Sequence, residues 1–257
     1  MATHVTLDKN GAVYTIAFSE DVERHPCTLD WDVLAELERC IAEVRDSQEC
    51  RVVIVESRSP KSFVVGANLA VLKTQDETNI GDWVKNGHRI FNQLQHLPQP
   101  VIAKVAKSAL GGGLELAMAC DFIIAGENAR FGHPEAGLGV MPGWGGSYRL
   151  RMLVGPARAK EMIFTAQPID AATACAWGLV NRVYKEEELD GAVEALAAQM
   201  VQNDGGVLAF CKDIINQDSQ EGMQRNAFQE ATTSAVCMAS PSTKRRLEAF
   251  FERRAKK

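Results

Sequence analysis

The chain has 257 residues, 46% of them hydrophobic, and a net charge of −5 with both signs interspersed. That is enough apolar material for one large core, and the acidic balance argues against a general nucleic-acid binder. No run reaches the ~20 apolar residues of a membrane span, and "MATHVTLDKNG" lacks the basic start and apolar stretch of a secretory leader, so a cytoplasmic protein is expected.

"HVTLDKNGAVYTIAFSE" alternates around Asn10-Gly11 and predicts an opening hairpin. "LDWDVLAELERCIAEVRDS" predicts a helix, with Leu34, Leu37, Ile41 and Val44 on one stripe. "RVVIVES" reads as a strand, and "KSFVVGANLAVLK" runs from strand through a glycine turn into a short helix. "WVKNGHRIFNQLQHL" predicts a second helix, stopped by Pro98 and Pro100. "PVIAKV" and "DFIIAG" read as buried strands around a glycine triplet. From Pro156 onward the pattern is helical apart from a strand near "GLVNRVY", with helices over "LDGAVEALAAQMVQ", "GVLAFCKDIINQ" and "TKRRLEAFFERRAKK". This order predicts an α/β core over residues 1–188 and a helical C-terminal part over residues 189–257. The seven cysteines are scattered without CxxC spacing and read as reduced thiols; no metal site is expected.

In "SALGGGLELAMACD", Gly111, Gly112 and Gly113 precede a run of good helix formers. They mark a turn into a helix N-terminus, where free N–H groups and the dipole favour negative charge. Such a turn is one half of an oxyanion hole, and it equally fits tight packing of strand against helix. Glu115 falls in the first helical turn, where the dipole should keep it ionised. No GxGxxG, P-loop lysine or GxSxG elbow accompanies it, which argues against dinucleotide, nucleotide and serine-nucleophile chemistry.

"FGHPEAGLGVMPGWGGSYRL" places Glu135 among Ala136, Leu138, Val140 and Met141, with five glycines between 137 and 146. Apolar neighbours should raise a carboxyl's affinity for protons. The contrast suggests Glu115 as base and Glu135 as acid, although a loop carboxylate facing water fits the same pattern.

"SFVVGANLAVL", "ALGGGLELAMACD" and "FGHPEAGLGVMPGWGGSYRL" closely resemble the three signature blocks of the crotonase superfamily, nearest to enoyl-CoA hydratases. The likeness extends to "GLVNRV" and the closing "AFFERR". It implies a crotonase-like spiral of ββα units with a helical C-terminal oligomerisation region. The implied reaction is syn addition of water to a short-chain, branched or cyclic 2-enoyl-CoA. By position, the N–H groups of Ala67 and Gly112 would hold the thioester oxygen, Glu115 and Glu135 would be base and acid, and the Gly143 N–H would help hold water. Coenzyme A enters as part of the acyl-CoA substrate, with no separate cofactor. Arg24 and His25 would lie near its phosphates, and Phe250 and Arg253 would reach it from a neighbouring subunit of a homotrimer or a hexamer formed as a dimer of trimers.

Several residues depart from the family pattern. "CTL" at Cys27–Leu29 replaces an "NAL"-type segment, and "SEDVERHP" lacks the usual Arg-Pro start. Asn68 replaces a frequent Asp and should still cap the following helix. His133 stands where hydratases commonly have Gln, and Trp144 where a smaller residue is usual. Trp144 reads either as packing or as a wall that shortens the acyl pocket. The resemblance also leaves room for a decarboxylase, a Δ3-Δ2 isomerase, a C–C hydrolase, or a non-catalytic scaffold subunit.

Overall fold

The computed structural model describes residues 2–21 and 25–255. As Asn10-Gly11 predicts, β1 (Thr3–Asn10) and β2 (Val13–Glu20) form an antiparallel hairpin. Asp30 caps α1 (Trp31–Asp46), its Oδ1 accepting the Val33 N–H at 3.0 Å, and Leu34, Leu37, Ile41 and Val44 are buried. Three turns of a spiral follow. The first holds β3 (Val52–Ser57), β4 (Ser62–Val64), α2 (Leu69–Leu72) and α3 (Ile80–Gln95). The second holds β5 (Val101–Val105), β6 (Ser108–Leu110) and α4 (Gly112–Met118), and the third β7 (Phe122–Gly126), β8 (Arg130–Gly132) and α5 (Glu135–Leu138).

Each turn gives its first strand to one sheet and its second to another, then closes with helix. The remaining elements are α6 (Gly146–Val154), α7 (Pro156–Thr165), β9 (Ile169–Asp170), α8 (Ala171–Trp177), β10 (Arg182–Tyr184), α9 (Glu186–Val201), α10 (Gly205–Ala239) and α11 (Pro241–Ala255). Among the described residues the sheet orders are β1-β2-β3-β5-β7-β10 and β4-β6-β8-β9. The pairs β2–β3, β3–β5, β5–β7, β4–β6 and β6–β8 are all parallel. Near-continuous apolar runs suit these strands because both faces of the large sheet are covered. Val53, Val55 and Ala103 join the main core, whereas Val52, Ile54, Ile102 and Ile124 pack beneath Leu189, Val193 and Ala197 of α9.

The boundary expected at 188/189 therefore falls inside α9, a helix that covers the outer face of the sheet. The helical reading past Pro156 missed β9, two residues paired antiparallel to β8. It also placed helix over 206–217 where α10 runs for 35 residues. α10 lies along α3, and Lys212 Nζ anchors it to Asp121 Oδ2 at 2.7 Å and Gln99 O at 3.0 Å. α11 folds back on the loop after α5, where the Thr243 hydroxyl donates to Gly139 O at 2.7 Å. Among the described residues no helix is long and apolar enough to cross a membrane.

Candidate active site

Residues 27–29 run beside the loop after β4. Leu29 N–H donates to Gly66 O at 2.9 Å and Asn68 N–H to Leu29 O at 2.7 Å, forming a parallel bridge between Leu29 and Ala67. In that pattern Leu29 uses its own N–H and C=O, so the Ala67 N–H points to the opposite side. Asn68 caps α2 as expected, accepting the Ala70 N–H at 3.0 Å. A Cβ on Gly66 would lie 3.2 Å from Gly112 N, so the two main chains touch. Gly112 begins α4, and its N–H has no carbonyl one turn back to bond. Ala67 and Gly112 both line a cavity of about 1470 Å³.

The glycine triplet serves both readings the sequence allows. Gly111 takes φ +52°, a backbone conformation that side chains rarely adopt. A Cβ on Gly113 would lie 1.9 Å from Val64 O, so that residue packs α4 against β4.

Glu115 projects from the first turn of α4 and is 2% exposed. Its Oε1 accepts N–H groups from Trp144 and Gly146, each at 2.7 Å. The expectation that the helix dipole keeps it ionised is corrected. Burial, then the charges of Glu230 and Glu135, push its carboxyl up to about 8, against weaker opposition from His133 and the Trp144 N–H.

Glu135 opens α5 after Pro134, its side chain 14% exposed. Its Oε1 lies 3.1 Å from His133 Nδ1, and Oε2 is buried without a partner among the described residues. A Cβ on Gly111 would lie 3.2 Å from Glu135 Oε1, which puts this carboxylate beside the turn into α4. His133 is fully buried. Burial works against its charge, but Glu135, Glu115 and Glu230 outweigh it and raise its pKa above the ordinary histidine value. His133 Cε1 and Glu115 Oε1 each lie 2.7 Å from the point where Gly146 would carry a Cβ, so the imidazole stands between the two carboxylates. Gly143 lines the cavity too, near Val84.

Trp144 both packs and walls the cavity. It is 3% exposed, its Nε1–H donates to Trp83 O at 3.3 Å, and its ring meets Trp83 and Phe91 edge-on at 5.1 and 5.5 Å. A Cβ on Gly87 would lie 2.2 Å from the indole and one on Gly112 2.4 Å from it, so the ring spans α3 and α4.

The same cavity is lined by His25, Phe250 and Arg253 of this chain. Both the aromatic and the basic residue belong to α11, where Lys73 at the end of α2 sits over the neighbouring Phe251 ring at 5.0 Å. Arg24 lies outside the described residues. Arg245 and Arg246 also line the cavity.

Residues 8–257 match the family model described as enoyl-CoA hydratase/isomerase. The chain belongs to that family. A short-chain-enoyl-CoA hydratase of Clostridium acetobutylicum is 37% identical over 251 residues, covering 98% of this chain and 95% of the relative. A crotonyl-CoA hydratase of Syntrophomonas wolfei is 37% identical over 88% of this chain and 87% of its own length. The crystal structure of an enoyl-CoA hydratase from Bacillus anthracis superposes with a TM-score of 0.79 at 30% identity, covering 97% of this chain and 96% of that one.

This family member carries buried polar residues around the site that sequence reading passed over. Glu230 of α10 is 1% exposed and meets His88 Nε2 of α3 at 2.9 Å. Arg149 of α6 is buried as well, donating to Trp144 O and Asn92 Oδ1, each at 2.7 Å, and burial pushes its pKa down to about 10. The available signal was His88 itself, a polar residue in the apolar stripe between Val84 and Phe91.

Proposed function

We propose that this chain hydrates short-chain 2-enoyl-CoA thioesters to 3-hydroxyacyl-CoA. The observation that carries the reading is the convergence of two main-chain donors, at Ala67 and Gly112, and two carboxylates, Glu115 and Glu135, on one cavity. The names of the two relatives at 37% identity agree with it.

In this reading the thioester oxygen accepts the Ala67 and Gly112 N–H groups, which stabilise the charge that develops as an enolate forms. Glu115 takes a proton from water as the oxygen bonds to the β-carbon. Glu135 delivers a proton to the α-carbon, and the pair then returns to its starting protonation. A base poised near 8 is well matched to this work around neutral pH. His25, Arg245, Arg246 and Arg253 supply a basic rim suited to the phosphates of coenzyme A, and Trp144 limits the acyl group to a short one.

The test is hydration of crotonyl-CoA by wild type, Glu115→Gln and Glu135→Gln. Each substitution should lower kcat by about 10²-fold or more. An isomerase would depend mainly on Glu135, and water addition that persists in both variants refutes the two-carboxylate mechanism.

A reducing, cytoplasmic setting fits the seven free cysteines. A homotrimer or hexamer is supported by Val207, Phe210 and Ile214, a stripe on α10 that is 56–72% exposed in the single chain. Light scattering that reports a monomer at micromolar concentration would exclude that assembly.

A further inference from the structure

Four consecutive main-chain N–H groups at the start of α6 are shared by two carboxylates in alternation. Trp144 and Gly146 donate to Glu115, each at 2.7 Å, while Gly145 and Ser147 donate to Glu230, at 2.9 and 3.3 Å. Glu115 comes from α4 and Glu230 from α10, and both are at most 2% exposed. A helix start favours one negative charge, but this one faces two.

Glu230 is fixed from three further directions: by His88 Nε2 of α3 at 2.9 Å, by the Ser147 hydroxyl, and by Asn226 one turn earlier on α10. Burial opposes its charge, yet His88, Ser147 and Asn226 outweigh that and hold it below the usual carboxylate range. The other titratable groups around the pair are Arg149 of α6 and His133 and Glu135 of the β8–α5 connection.

We propose that Glu230, braced by His88, is a positioning residue that clamps residues 144–147 onto Glu115 and places a second negative charge beside it. Helix α10 thereby becomes part of the catalytic apparatus rather than a surface for assembly alone. The fixed charge makes Glu115 a stronger base, and the clamp sets the two N–H groups that aim it. The kinetic part of the test rests on the hydratase reading above.

Glu230→Gln keeps the shape and removes the charge. The acid limb of the kcat/KM–pH profile for crotonyl-CoA should move down by about one pH unit, with KM nearly unchanged. Glu230→Asp, which retains the charge, should return the limb toward wild type. An unmoved limb, with activity either unchanged or lowered equally at every pH, overturns the proposal. Carbon-13 carboxyl NMR of wild type, with Glu115 assigned from Glu115→Gln, reads the same coupling without substrate. Signals of Glu115 and of Glu230, the latter assigned from Glu230→Gln, that titrate in linked steps support the pair, and a single-step titration of Glu115 independent of Glu230 overturns it. Linked steps in a protein that fails to hydrate crotonyl-CoA would sink the hydratase reading and leave the pair standing.

Discussion

Trp144→Ala tests whether the indole sets acyl length. The ring fills the space between Gly87 and Gly112, where a Cβ would lie 2.2 and 2.4 Å from it. In the proposed binding mode, an acyl chain held by its thioester oxygen at Gly112 would meet the indole soon after the β-carbon. Hexenoyl-CoA carries two more methylenes than crotonyl-CoA, and burying each is worth about 0.8 kcal/mol. Opening the wall should raise the hexenoyl-to-crotonyl ratio of kcat/KM by about 15-fold, the equivalent of about 1.6 kcal/mol. Crotonyl turnover should survive, because the hydrogen bond to Glu115 comes from the main chain of residue 144 and not from the ring. Removing so large a buried side chain also costs about 3–5 kcal/mol of stability, so the assay is run well below the midpoint of urea unfolding. A wild-type rate that rises with chain length, or a ratio unmoved in the variant, refutes the reasoning.

Three further outcomes follow from the geometry. Glu115 binds its proton more tightly in the fold, at about 8, than at its ordinary value of 4.5, so between those values the native state holds the extra proton and stability falls as pH rises. Glu115→Gln should remove a slope of up to about 1.4 kcal/mol per pH unit, and urea curves for variant and wild type that stay parallel from about pH 5 to 8 would contradict this. Gly146→Ala would put a methyl 2.7 Å from both Glu115 Oε1 and His133 Cε1; the displaced base should lower kcat by about 10²-fold with circular dichroism unchanged, and near-normal kcat counts against the assigned base. Replacing Arg245 and Arg246 together by Ala should raise KM for crotonyl-CoA about tenfold but leave that for crotonyl-pantetheine alone; equal effects on both would remove the phosphate role.

The parts of the site that were legible in the sequence are local ones. The glycine turn, Glu115 four residues on from Gly111, and Glu135 directly after Pro134 sit within short blocks whose spacing survives folding. Ala67 was legible for the same reason, since "VVGAN" carries its own turn. The pairing of Glu230 with His88 was not, because it joins α3 to a helix 142 positions later. Nothing in the pattern of α10 marks residue 230 as facing inward. Gly87 offered a better clue than it was given. A glycine inside a helix costs about 1 kcal/mol relative to alanine, and here the space it leaves is filled by Trp144.

Magnitudes explain why the charge state of Glu115 was misjudged. A helix N-terminus favours a carboxylate by about 0.3–1 kcal/mol at exposed sites, and by about 2 at most. Full burial opposes ionisation by several kcal/mol, and two further carboxylates stand nearby. The dipole loses that contest wherever solvent is excluded, and sequence alone does not show that α4 is buried along its whole length. The outcome suits the proposed role as base. A carboxylate stabilised by the dipole alone would hold its charge firmly and accept a proton poorly, whereas one strained by burial and by Glu230 would take it more readily from water in the proposed hydration. The two N–H groups of Trp144 and Gly146 then have a task the dipole cannot perform. They fix where the charged oxygen sits, so that a base of raised proton affinity still points at one place in the cavity.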